Sequence, residues 1–394
     1  MFNKSEKKEL KKIYVKSAQV IDSVTSKNGA ILASPKNRRY PYMYPRDTML
    51  ISRVLLEIGQ TAKAKKTLEF VLSLVNETGE WSQRYTQDGK PASYRPSQVD
   101  CNGLVLFMVN KYYEQTKDIS FLKKHWNEVY LGMRFLEEHY IKEEQLVFSM
   151  NSIHEWPPME AGFEIWANVC AYSGFKAAVN IAKLLNKTED MRHWAKIEKE
   201  LAIGIMTRLV HDGRFIKLTN NVNIFDADIS ELGMYILELL PADDPIVKKT
   251  ANYIEKKLYD KDLGGIKRHV EKYGRPGRNN GGYGPYSMYT GWMAQYFLDN
   301  NPKNAKKYFD WFIKHNKNGL IPEHISTKES FLNWQNEAKT IGRYYKNGRS
   351  EEAKKVMRTK DFIENDTAYW VVPLTWGHAE FMLAYHKLVK LKLI

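Results

Sequence analysis

In the stretch SFLKKHWNEVYLGMRFLEEHY (120–140), apolar side chains fall at Leu122, Trp126, Val129, Met133, Leu136 and Tyr140. Steps of four and three place them on one face of a helix. Trp194, Ile197, Leu201 and Ile205 repeat the pattern within 190–210. The same period predicts helices over 7–24, 47–58, 61–75, 98–113, 162–185, 229–239, 244–258, 285–298, 304–315, 328–345 and 376–391, thirteen in all, with almost no strand pattern between them.

The connections are unequal. EQTKDIS and LNKTED are short and polar, whereas NGAILASPKNRRYPYMYPRD, NETGEWSQRYTQDGKPASYRPSQ, VFSMNSIHEWPPMEAG and LGGIKRHVEKYGRPGRNNGGYGP are long and rich in Gly, Pro and aromatic residues. Long irregular loops inside a folded domain usually carry function. One follows roughly every second helix, a spacing of about 55 to 70 residues that suits helical hairpins repeated around a ring. The length holds six such hairpins, and no Pro/Ser-rich linker divides the chain. The expectation is an all-α protein, an (α/α)6 barrel forming a single domain over 1–394, with its long loops gathered at one end. An open α-solenoid is the alternative, but its repeats would be more alike and its loops shorter.

Composition narrows the chemistry. With 394 residues, 43% of them hydrophobic, the chain can bury a large core. The formal charge of +14 comes from Lys and Arg spread over helix faces, without a dense basic tail, so solvated faces account for it and nucleic-acid or membrane partners are not expected. Ten Trp and twenty-four Tyr exceed ordinary core needs, and such rings also wall carbohydrate sites. Cys101 and Cys170 form no CxxC spacing or disulfide framework. The first residues lack a signal-peptide pattern and no run of eighteen apolar residues occurs, so the expected location is cytoplasmic.

Phosphate-binding loops, HExxH and a Ser nucleophile elbow are absent, and the ten His have no metal-ligand spacing, so no cofactor or metal is expected. What remains is carboxylates set in aromatic loops, the equipment of glycoside hydrolysis. SIHEWPPMEAGFE offers Glu155, Glu160 and Glu164; NGLIPEHIS offers Glu323. Glu155 stands between His154 and Trp156, and an apolar ring beside a carboxyl favours the protonated form that a general acid needs. Glu160 and Glu164 also suit the first turn of the helix predicted to begin near Gly162. Arg46 and Asp47, walled by Tyr40, Tyr42 and Tyr44, either clamp a polar ligand or provide, through Asp47, the cap of the following helix.

Four segments, YPRDT (44–48), EWSQRYTQDG with SQVDCNG (80–103), GLIPEHIS (319–326) and VVPLTWGHAEFMLAYHKL (371–388), resemble in order the signatures of glycoside hydrolase family 15, the glucoamylases, glucodextranases, isomaltose-type glucohydrolases and one group of trehalases. The resemblance implies an (α/α)6 barrel and an exo-acting hydrolase that removes glucose from a non-reducing end with inversion. It makes Glu323 the general base, followed by His324 where the family has Gln. Arg46 and Asp47 match the pair that holds the sugar's outer hydroxyls. Tyr42, Trp81, Gln98, Asp100, Trp156, Arg268 and Trp376 fall at substrate-binding or pocket-wall positions. For the general acid, aligning from Asn151 selects Glu155, the preferred reading, whereas aligning back from Gly162 puts Pro158 at that position and leaves Glu160 as the fallback.

No N-terminal β-sandwich or starch-binding module is recognisable, which points to a small α-gluco-oligosaccharide. Isomaltose or short malto- or isomalto-oligosaccharides come first and trehalose next. A catalytically silent relative that binds a glucan is the reading from a different class.

Overall fold

The computed structural model describes residues 1–93, 95–155, 160–218, 227–270, 281–344 and 363–394. Two kinds of helix alternate. Helices α1 (Lys4–Val24), α3 (Thr61–Leu72), α5 (Ile119–Lys124), α6 (Trp126–Glu138), α8 (Thr188–Arg208), α10 (Pro245–Leu258) and α12 (Pro302–His315) bury one stripe, as their 3.6-residue period dictates. By contrast α2 (Pro45–Glu57), α4 (Val99–Thr116), α7 (Ile165–Leu184), α11 (Ser287–Asn300) and α14 (Thr375–Lys390) are buried over most of their circumference. The sixth inner position is a 3-10 segment, Ile229–Leu232, continued by the single turn α9 (Gly233–Ile236), both wholly buried. Six inner elements inside an outer layer make an (α/α)6 barrel in one domain.

The inner helices approach closely where side chains vanish. A Cβ on Gly103 of α4 would lie 2.1 Å from the Cys170 carbonyl of α7, and one on Gly174 would lie 2.9 Å from the Gly103 Cα. The ring shuts between α1, α2 and α14. Thr375 donates through N to Ala33 O and through Oγ1 to Leu32 O, at 2.9 and 2.8 Å. His378 Nε2 accepts from Ile321 N at 3.0 Å, so its Nδ1–H faces Ser17 Oγ at 2.7 Å. Burial lowers its pKa to about 3, and the neutral ring serves this joint.

The helical period located these elements, with three corrections. The helix expected across 122–140 breaks at His125, which ends α5, itself capped at its start by Asp118, and precedes the first residue of α6. The one expected over 229–239 is the 3-10 segment and one turn. Strands are also more numerous than the sequence pattern predicted. Hairpins β1–β2 (Tyr140–Ile141, Leu146–Val147) and β3–β4 (Val210–His211, Arg214–Phe215) close two helical pairs. A five-stranded antiparallel sheet joins β5 (Ile266–Lys267), β6 (Pro285–Tyr286), β7 (His324–Thr327), β9 (Thr367–Trp370) and β8 (Ile363–Glu364). Strands of two to four residues are too short for a period of two to register in sequence. Helix α13 (Lys328–Tyr344) follows β7 in the same excursion.

Inner helices begin at 45, 99, 165, 229, 287 and 375, each after a long connection. Their first turns touch: Arg46 meets Asp100, Trp166 Nε1 donates to Asp100, and a Cβ on Gly377 would strike Ser287. Convergent helix N-termini favour negative charge nearby.

Candidate active site

Arg46 is the centre of this end. Its Nη1 donates to Gln98 Oε1, Asp100 Oδ2 and the Ser152 carbonyl at 3.1, 3.3 and 3.3 Å, and its Nη2 to Glu155 Oε1 at 2.8 Å. Nε lies 3.5 Å from Asp47 Oδ1. Burial works against the guanidinium's charge, and Asp100, Glu155 and Asp47 more than offset it. Asp47 does not cap α2, because Tyr44 holds the N-cap position and Pro45 opens the helix. Burial raises the Asp47 pKa to about 7 against the pull of Arg46. Gln98 and Asp100 are fully buried against Arg46 and steady its guanidinium, while Asp100 Oδ1 is buried without a hydrogen bond among the described residues.

Glu155 is the carboxylate of its loop that remains part-exposed, at 23%. Its backbone is left-handed, φ 55°, a conformation costly for a non-glycine residue. A bond from its N to Ser152 O, 2.9 Å, and one from Arg95 to its carbonyl hold it there. Glu160 is placed otherwise. It is fully buried, accepting from Ser152 N at 3.0 Å and His154 N at 2.6 Å, so both oxygens are engaged by backbone. Glu164 caps α7 through Ala167 N, at 2.8 Å, and the helix starts three residues later than the sequence suggested.

Glu323 sits where the chain enters β7. Its N donates to Trp370 O and Val371 O, 2.9 and 3.0 Å, and its carbonyl accepts from Ser287 N at 2.8 Å. The side chain thereby stands at the barrel end with Oε2 buried and without a hydrogen bond among the described residues. Burial pushes its pKa up to about 7; Arg268 and Arg39 pull it down, while Asp47 and Glu155 add to the rise. Asp47, Glu155 and Glu323 therefore share one electrostatic neighbourhood. Burial also raises Tyr40 and Tyr44, with Glu323 the chief charged contributor for the first and Glu155 for the second.

These helical hairpins, with paired carboxylates at the inner N-termini, agree with a comparison of sequences: the model for glycosyl hydrolases family 15 matches residues 9–365. The chain belongs to that family. An uncharacterized glycosyl hydrolase of Methanocaldococcus jannaschii is 28% identical over 319 residues, 76% of this chain and 49% of its own length. Trehalase 1 of Sulfolobus acidocaldarius is 24% identical over 346 residues, 80% of this chain and 57% of its own. The chain thus spans about half the length of these curated relatives. A solved wild-type glycosidase superposes with a TM-score of 0.75 at 16% identity over 99% of both chains, which shows a shared fold.

In this family 15 member the remaining sequence expectations divide. Arg268 lies with its guanidinium 5.2 Å from the Tyr286 ring and within electrostatic reach of Glu323. Trp81 is instead a core residue: it is fully buried, bonds Val71 O through Nε1 at 2.7 Å, and packs on Gly132 of the outer helix α6. Trp376 is buried behind Tyr289 and Trp292, with Nε1 bonded to Glu380 at 2.8 Å. Tyr42 gives its ring to Arg84, 4.7 Å from the centroid. Trp156 lies outside the described residues. His324 is buried, stacked on Tyr286 with Nε2 3.2 Å from Gly282 O.

Sequence reasoning missed Ser152, Arg39 and Lys217. Arg39 precedes Tyr40 and stacks 5.1 Å from the Trp370 ring. Ser152 sits one turn before Glu155, a spacing that hinted at a tight turn. Among the described residues no group of three or more His, Cys, Asp or Glu is arranged to hold a metal, and no helix is long and apolar enough to cross a membrane. A shallow groove of about 780 Å³ lined by residues including Ser26, Lys36, Pro41 and Asp88 contains none of the carboxylates above.

Proposed function

We propose that this protein is an exo-acting, inverting α-glucoside hydrolase that releases β-glucose from the non-reducing end of a small α-gluco-oligosaccharide, isomaltose or a short malto- or isomalto-oligosaccharide. The observation that carries the reading is the grouping of Glu155, Asp47 and Glu323 around Arg46 and Arg268 at the inner-helix N-termini. Glu323 takes a proton from water as the water oxygen bonds to the anomeric carbon. The glycosidic C–O bond breaks, and Glu155, protonated on Oε2 while Oε1 holds Arg46 Nη2, gives that proton to the leaving oxygen. Both carboxyls return to their starting states through solvent. Glu155 is preferred over Glu160 because Glu160 has both oxygens engaged by backbone N–H groups. Asp47 Oδ1 and Glu323 Oε2, buried and unbonded among the described residues, suit a sugar hydroxyl and a water. Inversion requires the two carboxyls to act from roughly 6.5–9.5 Å apart, with room for a water between them.

The similarity to a trehalase of Sulfolobus acidocaldarius supports α,α-trehalose as the second substrate reading. A panel of isomaltose, maltose, panose and trehalose, followed by proton NMR of the first product, tests both. Initial β-glucose is expected, and initial α-glucose refutes inversion. Absence of glucose from every substrate, with glucan binding unchanged in Glu323→Gln, would establish the silent binder instead.

A further inference from the structure

Lys217 belongs to no part of the chemistry above, yet its ammonium is 1% exposed in the barrel. Nζ lies 2.6 Å from Glu164 Oε1, 3.2 Å from Ser230 Oγ, 3.8 Å from Glu160 Oε1 and 3.9 Å from Asp228 Oδ1. Burial opposes its charge, and the three carboxylates outweigh burial. One lysine so enclosed is costly unless each partner is used.

Each partner reaches onward to the site. Glu160 receives the amides of Ser152 and His154, and Glu164 Oε2 receives Ser152 Oγ at 2.9 Å. Ser152 in turn offers its carbonyl to Arg46 Nη1, to Gln98 Nε2 at 2.9 Å and to the Glu155 amide. Asp228 takes the other direction. Its Oδ2 accepts from His154 Nε2 at 2.8 Å, the ring being neutral because burial lowers its pKa to about 3. Asp228 also bridges His269, and Ile229 N donates to Arg268 O at 2.9 Å.

We propose that Lys217 is a positioning residue that ties the Glu155 loop to the Arg268 segment, so that acid and base sides of the site keep one geometry. Without the cation, three carboxylates from two separate segments face one point and push the two segments apart. The idea rests on the hydrolase reading for its kinetic part alone.

Lys217→Met should lower kcat about 100-fold with KM changed less than about threefold, the loss expected of a displacement near 1 Å. Lys217→Arg, which keeps the charge, should recover part of the loss. Hydrogen exchange of Lys217→Met should quicken at the amides of 152–155 and 229 while α3 and α12 stay protected, a readout that needs no turnover. Leu201→Ala, a buried change in α8, serves as the control for general destabilisation. Where the single variant does not fold, Lys217→Met with Glu164→Gln removes the tether without leaving an excess charge, and its kcat should fall as well. Native kcat in either variant, or a kcat and exchange pattern matching Leu201→Ala at equal loss of Tm, overturns the proposal. Inactivity of the native protein on every glucoside, with the exchange result intact, sinks only the hydrolase reading.

Discussion

The Glu155 and Glu323 sides of the site are held in place by different means. Glu323 hangs from backbone: a sheet on one side, the first turn of α11 on the other. Glu155 hangs from side chains, through a serine whose N, Oγ and O are taken by Glu160, Glu164 and Arg46. A backbone-fixed carboxylate tolerates neighbouring substitutions, whereas a loop fixed by buried charges depends on each of them, since removing one partner leaves the other unpaired at a cost of about 3–5 kcal/mol. The base side is thereby rigid by construction and the acid side by electrostatic balance.

The largest break should come from Glu323→Gln, with turnover down by roughly 10³ or more. Its stability should move the other way. Below pH 4.5 folded and unfolded chains both hold the Glu323 proton. Between 4.5 and about 7 only the folded chain does, so stability falls as pH rises through that window. The penalty above it is roughly 3 kcal/mol, so Glu323→Gln should melt higher than the native protein at pH 8, measured by calorimetry.

Glu155→Gln and Glu160→Gln separate the roles of the two carboxyls in this loop. The first should lose roughly 10²–10⁴ in kcat with little change in Tm; the second should lose Tm first. Near-native activity in Glu155→Gln alongside an inactive but folded Glu160→Gln would reverse the assignment.

Next comes Arg46→Ala. From sequence it reads as a ligand clamp whose loss would spare stability, but Asp100 and the Ser152 carbonyl lean on it, so both kcat and Tm should drop, the latter by about 3–5 kcal/mol in stability. Kinetic pH dependence should be milder: with Glu323 needed ionised, kcat/KM should fall about tenfold per unit below pH 7. Smallest in activity is Trp81→Ala, expected to cost about 3–5 kcal/mol of stability while kcat of the folded fraction stays native. A selective loss of kcat would return Trp81 to the sugar's side.

The helical layer was legible because every outer helix except the short α5 repeats its apolar stripe over three or more turns, and Arg46, Asp47, Glu155 and Glu323 stood out as polar groups in aromatic loops. Gln98 and Asp100 were legible as a polar pair at a helix start and meet Arg46 in the structure, a position that can serve a ligand or the arginine above it. Lys217 gave no sign. In GRFIKL it follows an apolar run like any surface lysine, and its partners at 160, 164 and 228 lie 11 to 57 residues away. Charge networks assembled by topology leave no local spacing to read.

The joint between α1 and α14 ties residue 17 to residue 378. During synthesis this contact is the last of the ring to become available, so a nascent chain carries five inner elements with an open seam until its final helix emerges. Folding should therefore be slow to commit and sensitive to seam variants such as Ser17→Val, which would show as delayed refolding and aggregation before any loss of catalytic geometry.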